Sequence, residues 1–141
     1  MGNLKNDALE MLARREHSRL ELRNKLLRKS HNEEEIDLLL NALNEQNLQS
    51  DIRFAEVFTR YRSTKGFGSI KILLELKAKG IDEDIAKDVI NNEIYDWHAL
   101  ALSVLEKKFS NKRSDKLKQK RFLLNRGFRH DIIHEVVNNK Y

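Results

Sequence analysis

The sequence predicts an all-α protein, built from three tandem three-helix repeats that stack into an elongated, curved body. Three observations carry this prediction. The 141 residues contain no proline and only five glycines, whereas leucine, lysine, glutamate and asparagine are abundant. Apolar residues recur at the i, i+3, i+4 spacing of amphipathic helices. The middle of the chain is also repeated at an offset of 47 residues, as from Leu76 to Leu123.

In the first repeat, one helix is predicted over residues 4–16. Ser18 and Glu21 have the spacing of a capping box, which indicates the start of a second helix. Asn32 precedes a third helix in the same way. The expected core residues of this repeat are Leu4, Ala8, Met11, Leu12, Leu22, Leu26, Ile36, Leu39, Leu40 and Leu43.

The second repeat contains the most informative segment, residues 50–81. Its first helix is predicted to have one apolar face, made of Phe54, Val57, Phe58 and Tyr61. A tight turn follows, in which Gly66 and Gly68 flank Phe67. A second helix, apolar at Ile72, Leu73 and Leu76, ends at Gly80. Asp82 is predicted to cap the third helix, with Ile85, Ala86, Val89 and Ile90 buried.

The third repeat begins at Asp96 and Trp97, and we expect Trp97 to be a core anchor. Either Ser114 or Asp115 can cap the second helix of this repeat, which runs to Arg126. Gly127 then closes that helix. The third helix is marked by Ile132, Ile133, Val136 and Val137.

The second and third repeats align residue by residue. Lys79 and Gly80 fall on Arg126 and Gly127. The first repeat fits only if its first inter-helix loop is shorter. We expect the repeats at residues 1–47, 48–94 and 95–141. Stacked repeats of this kind bind partners along a concave face.

Charge is the main functional signal, since the net charge is +5, from 27 basic and 22 acidic residues. One basic set surrounds the central turn: Arg53, Arg60, Arg62, Lys65, Lys71, Lys77 and Lys79. It suits contact with a polyanion or an acidic protein groove, and the alternative is a solvated helix face. A second set lies in residues 107–121: Lys107, Lys108, Lys112, Arg113, Lys116, Lys118, Lys120 and Arg121. With Arg126, which extends it to nine basic residues over 107–126, this set is either a nucleic-acid track or the exposed side of two helices.

Other motifs favour structural roles. The Gly66-Phe67-Gly68 turn lacks the preceding strand and GxxxxGK[ST] pattern of a phosphate loop, although N–H groups at a helix start can still meet a phosphate. Phe67 either packs in the core or stacks on a partner. His130 and His134 have metal-site spacing but no evident third ligand. Acidic residues at 33–37 and 82–84 lie at helix starts, where they cap free N–H groups. We therefore expect no metal, no cofactor and no enzymatic activity.

The segment SDIRFAEVFTRYRSTKGFGSIKILLELKAKGI, residues 50–81, resembles the central repeat of the RecX family, the regulators of the RecA recombinase. The resemblance implies the same repeat architecture. It also implies that the chain binds the RecA–single-stranded DNA filament and inhibits its extension, its ATPase and strand exchange. Recombination, DNA repair and the SOS response would be regulated in this way.

From charge and placement we select one set of partner- or DNA-contacting residues. These are Arg53, Arg60, Arg62, Lys65, Gly66, Phe67, Gly68, Lys71, Lys77 and Lys79, with Lys116, Lys120 and Arg121 as a second patch. The absence of cysteine suits a cytoplasmic protein, and we expect a monomer without membrane association.

Two other functions fit the composition. A helical DNA-binding regulator without a recombinase partner would read duplex sequence through a recognition helix. The predicted helix at residues 70–79 lacks the asparagine, glutamine and arginine residues that usually read bases. A structural scaffold would show no salt-dependent DNA binding at all.

Overall fold

The computed structural model describes residues 3–110 and 115–138. Within those ranges the secondary structure consists of nine α-helices and no strand, so the all-α prediction is confirmed. The helices are α1 (Leu4–Arg14), α2 (Arg19–Arg28), α3 (Glu33–Glu45), α4 (Asp51–Thr64), α5 (Ser69–Ala78), α6 (Glu83–Ile90), α7 (Trp97–Phe109), α8 (Lys116–Asn125) and α9 (His130–Asn138). None of these nine combines the length and the apolar composition that a bilayer span requires.

Helix starts lie where the capping residues predicted them. Ser18 and Glu21 form both hydrogen bonds of the capping box at α2. The side chains of Asn32, Asp96 and Asp115 accept backbone N–H groups at α3, α7 and α8. Each satisfies a donor that the first helical turn leaves unpaired. Ser114, the other candidate at α8, lies outside the described residues.

The internal repeat is present in the structure. Helices α5 and α8 each have ten residues, beginning at Ser69 and Lys116, and both are followed by a glycine with positive φ, Gly80 at +82° and Gly127 at +89°. The prediction of a shorter first loop is wrong, because residues 15–18 and 65–68 are connections of equal length. Instead α1 has 11 residues where α4 has 14. Helix α1 ends early because Arg15 adopts extended backbone, with φ −166° and ψ 168°.

The chain divides into two compact units. Unit 1 comprises residues 1–58 and 76–86, and unit 2 comprises residues 59–75 and 87–141. The core of unit 1 includes Ala8, Leu22, Leu26, Ile36, Leu40 and Leu43. The core of unit 2 includes Ala101, Leu105, Leu123, Phe128, Ile133, Val136 and Val137.

The apolar face predicted for α4 is only partly correct. Phe54 is buried, but Val57 and Tyr61 are 46% and 57% exposed. The buried side of the helix instead includes Ala55 and Thr59, both fully covered. Small side chains permit close packing there, so the larger residues on the adjacent side remain in solvent.

Trp97 is not the buried anchor that we expected. Its side chain is half-buried, and its ring stacks on Tyr95 with centroids 5.1 Å apart. The indole N–H donates a 3.0 Å hydrogen bond to the carbonyl of Ile90. The ring therefore fixes the connection between α6 and α7, since its polar edge needs a backbone acceptor.

Candidate functional site

Arg53 is held by a network within unit 1. Its Nε donates to Glu16 Oε2 at 2.6 Å. Its terminal nitrogens donate to Asn47 Oδ1 at 3.2 Å and to the carbonyl of Leu48 at 3.3 Å. A guanidinium engaged in three directions fixes the connection between α3 and α4, and it has few donors left for a partner.

Glu21 is the centre of a second network in unit 1. Its carboxylate accepts hydrogen bonds from Arg15 at 3.1 and 3.2 Å and from Lys79 at 3.0 Å. Burial favours the neutral acid, but the bonds from Arg15, Lys79 and the Ser18 backbone outweigh burial and lower the pKa of Glu21 to about 2. The charge of Lys79, a predicted contact residue, is thus neutralised inside unit 1.

Lys77 also has a carboxylate partner, since its Nζ lies 3.4 Å from Glu83 Oε1. Both side chains are about half exposed. An ion pair in that setting adds little stability, and a partner's anion could displace it.

In unit 2, three cations surround Phe67. Arg62 Cζ lies 3.9 Å from the ring centroid, Lys71 Nζ 4.9 Å and Arg126 Cζ 5.0 Å. Phe67 is half-buried, and its π-system attracts these cations without neutralising them. The ring therefore concentrates positive charge on one surface of unit 2.

Among the residues that the structure describes, only one of these three cations has a carboxylate partner. Arg62 donates two parallel hydrogen bonds to Glu75, from Nε at 2.9 Å and from Nη2 at 2.7 Å. This bidentate geometry fixes the guanidinium against Phe67. Lys71 and Arg126 keep their charge available.

The glycines position this surface through contacts between two turns of unit 2. Gly68 N donates to the carbonyl of Arg126 at 2.7 Å, and Ile70 N donates to the carbonyl of Gly127 at 2.9 Å. A Cβ on Gly68 would lie 2.5 Å from the carbonyl oxygen of Gly127. The α4–α5 and α8–α9 turns therefore meet backbone to backbone, and these two N–H groups are not available to a phosphate.

An open cleft of about 290 Å³ lies beside Gly66 and Arg126 in unit 2. Its lining, as far as the structure describes the chain, contains no carboxylate and four cationic residues: Lys65, Lys107, Lys108 and Arg126. Arg126 Cζ is also 5.3 Å from the centroid of Phe122. The Arg126 guanidinium therefore lies near two aromatic rings, Phe67 and Phe122.

The second predicted patch lies on α8. Lys116 and Arg121 are exposed, and Lys120 is half-buried. Lys120 and Arg121 flank a separate groove of about 380 Å³ whose other lining residues are Leu117, Leu124, His130, Ile133 and His134. Lys112 and Arg113 belong to the same basic segment but lie outside the described residues.

The remaining candidates are simple to place. Arg60 is exposed on α4. His134 lies within 2.9 Å of the amide nitrogen of Asn138. Across residues 3–110 and 115–138, no three histidine or carboxylate side chains are grouped as metal ligands.

Two important residues were absent from the predicted site. Arg126 was assigned only to the general basic segment, although the repeat offset places it on Lys79, which was selected. Glu75 was not considered, because a carboxylate thirteen positions from Arg62 in sequence gives no local signal of the pair that forms across the turn.

Comparison with known proteins identifies relatives along nearly the whole chain. Residues 5–43, 50–90 and 95–137 match the first, second and third three-helix domains of RecX. The regulatory protein RecX of Chromohalobacter salexigens is 40% identical, with 96% of this chain and 95% of the relative covered. That of Legionella pneumophila is 42% identical, with 93% and 90% covered.

Solved structures agree with these relatives. The crystal structure of RecX from Lactobacillus salivarius superimposes with a TM-score of 0.83, at 28% identity, covering 96% of this chain and 93% of that one. The sequence relatives are regulatory proteins, which agrees with the prediction that this chain is not an enzyme.

Proposed function

Because this chain belongs to the RecX family of regulatory proteins, we propose that it binds the RecA–single-stranded DNA filament and inhibits filament extension, ATP hydrolysis and strand exchange. The family resemblance identifies RecA as the partner. In support, unit 2 carries a cationic surface of the kind that binds an acidic protein or a phosphate backbone.

The observation that carries the proposal is a set of cations at aromatic rings of unit 2, with Lys71 and Arg126 at Phe67 and Lys65 at Tyr61. Lys65, Lys71 and Arg126 contact aromatic rings and a backbone carbonyl, and among the described residues none of the three forms an ion pair. Unpaired cations held in fixed positions favour rapid association with an acidic surface or a phosphate backbone.

The paired cations contribute less to this proposal. Arg53, Arg62 and Lys79 donate to carboxylates of their own chain. Reversing their charge would place an acid beside an acid, and loss of fold would then be confused with loss of binding. Lys65 and Lys71 are the better test residues.

The test is the single-stranded-DNA-dependent ATPase of RecA, measured while this protein is titrated in below one-to-one stoichiometry. We expect strong inhibition at substoichiometric amounts, because blocking the growth of a filament affects many protomers. No inhibition, with DNA binding retained, would favour a DNA-binding regulator that lacks a recombinase partner.

A matched pair of variants locates the surface. Lys65→Glu combined with Lys71→Glu should weaken inhibition. Lys5→Glu combined with Arg14→Glu makes the same change in net charge on exposed positions of α1 and should leave inhibition unchanged. Equal inhibition by both variants, with helicity intact, would show that the surface around Lys65 and Lys71 is not the binding surface.

A further inference from the structure

We propose that the cleft lined by Lys65, Lys107, Lys108 and Arg126 binds a phosphodiester group of single-stranded nucleic acid, with Arg126 as its principal ligand. This inference rests on the proposed function, since it names one chemical target for part of the same surface. It goes further because it assigns direct contact with the nucleic acid to particular residues, independently of the recombinase.

Arg126 has the geometry of a prepared phosphate ligand. Its guanidinium carbon lies 5.0 Å from the centroid of Phe67 and 5.3 Å from that of Phe122. Its Nη1 donates to the carbonyl of Lys65 at 3.1 Å. An arginine has five N–H donors, so most remain for a ligand, whereas Arg62 already directs two of its own at Glu75.

The charged residues that line the cleft, among those that the structure describes, are all cationic. Lys107 and Lys108 lie in the last turn of α7, where the helix dipole favours cations. Lys65 directly follows α4 and Arg126 is the C-cap residue of α8, so the C-terminal ends of three helices bring four cations to one cleft. Because no described residue of the lining is a carboxylate, a bound anion would relieve the mutual repulsion of the four cations.

A phosphodiester chain suits this cleft better than an acidic peptide does. A peptide gains most of its affinity from apolar anchors in open pockets, but Arg126 and Lys108 already lie beside the Phe122 ring, at 5.3 and 5.9 Å. A cleft of about 290 Å³ admits a flexible strand more readily than a rigid duplex. Single-stranded nucleic acid presents one phosphate per nucleotide to such a track.

The experiment measures fluorescence anisotropy of a short, fluorescein-labelled oligothymidylate with the full chain and no recombinase, over a range of salt concentrations. Arg126→Gln should weaken binding roughly tenfold, as expected for loss of a charge-assisted hydrogen bond. It should also reduce the steepness of the salt dependence by about 0.7 on a log–log plot. Arg126→Lys should keep the salt dependence but lose affinity, because lysine lacks the planar fork.

A second variant tests whether any loss of binding by the Arg126 variants comes from misfolding. Lys108→Gln removes a charge whose only contact in the described part of the chain is with the Phe122 ring at 5.9 Å, so the fold should persist. It should also weaken binding and flatten the salt dependence. Arg14→Gln and Lys5→Gln, at exposed positions in α1, are the matched controls and should bind as the wild type does.

The outcomes separate this inference from the proposed function. If Arg126→Gln and Lys108→Gln bind the oligonucleotide like the controls, the phosphodiester site is refuted, even where RecA inhibition is lost, since the cleft would then contact protein. If both variants lose oligonucleotide binding while RecA ATPase inhibition persists, the site is supported and the inhibitory surface lies elsewhere.

Discussion

Gly68→Ala tests the contact between the two turns of unit 2. The φ of Gly68 is not in the positive region, so an alanine there meets no backbone strain. The added Cβ, however, would lie 2.5 Å from the carbonyl oxygen of Gly127, 2.6 Å from its carbonyl carbon and 2.7 Å from the nitrogen of Phe128. All three are backbone atoms, which cannot rotate away as a side chain can.

The expected loss of folding stability follows from the distance by which the two turns must separate. Ordinary non-bonded contacts lie near 3.5 Å, so the turns must separate by about 1 Å. Overpacking of this kind costs about 1–3 kcal/mol. The hydrogen bonds from Gly68 N and Ile70 N would also weaken, each contributing about 1 kcal/mol. Removing glycine flexibility from the unfolded chain returns about 0.4–1 kcal/mol, which leaves a net loss of about 2–3 kcal/mol.

Urea denaturation followed by circular dichroism measures this loss. With a slope of about 2 kcal/mol per molar urea, the midpoint should fall by about 1 M. Gly66→Ala is the comparison, because Gly66 has φ +88° but its nearest neighbour is a Val104 side-chain methyl at 3.1 Å. It should cost only about 1 kcal/mol. A Gly68→Ala protein as stable as the wild type, or more stable than Gly66→Ala, would refute the contact.

Four other predictions test single residues. Glu21→Gln should flatten the pH dependence of stability. The folded pKa of Glu21 is about 2, below the ordinary 4.5, so its stabilisation is complete above about pH 4.5 and is lost as pH falls towards 2. The wild type should therefore lose up to about 3 kcal/mol more than the variant over that range, by urea titration at each pH. Thr59→Val should be neutral or stabilise by up to about 1 kcal/mol, because Thr59 Oγ1 is buried and has no hydrogen-bond partner among residues 3–110 and 115–138; a clear loss of stability would contradict this. Asp96→Ala should cost about 1 kcal/mol by removing the α7 cap, and an unchanged melting temperature would show that the cap adds nothing. Phe67→Leu should weaken oligothymidylate binding about two- to fivefold by releasing the clustered cations, and unchanged binding would show that the ring does not organise them.

Local signals in the sequence predicted most of the fold. Capping residues such as Ser18 and Asp96 act on the backbone within three positions, so they place helix starts without knowledge of the tertiary structure. Gly80 and Gly127 end helices for an equally local reason, their positive φ. The repeat offset is visible for the same reason, because the copies carry helix-capping and helix-ending residues at equivalent positions.

Features that depend on contacts distant in sequence were not predictable in this way. Val57 and Tyr61 have the spacing of a buried face, yet both are exposed and the covered side of α4 carries Ala55. Which cations remain free also depends on distant carboxylates. Arg53 meets Glu16 thirty-seven positions away, and no pattern near Arg53 reports that pair.

The two glycine contacts show how a duplicated segment can acquire separate tasks. Gly80 lies against Leu20 in unit 1, and Gly127 lies against Lys71 in unit 2. Beside the first contact, the Glu21 carboxylate neutralises Arg15 and Lys79. Beside the second, Phe67 holds its cations with their charge intact. The two contacts therefore share a backbone arrangement but differ in charge, since the position of Glu21 in α2 corresponds to that of Lys71 in α5.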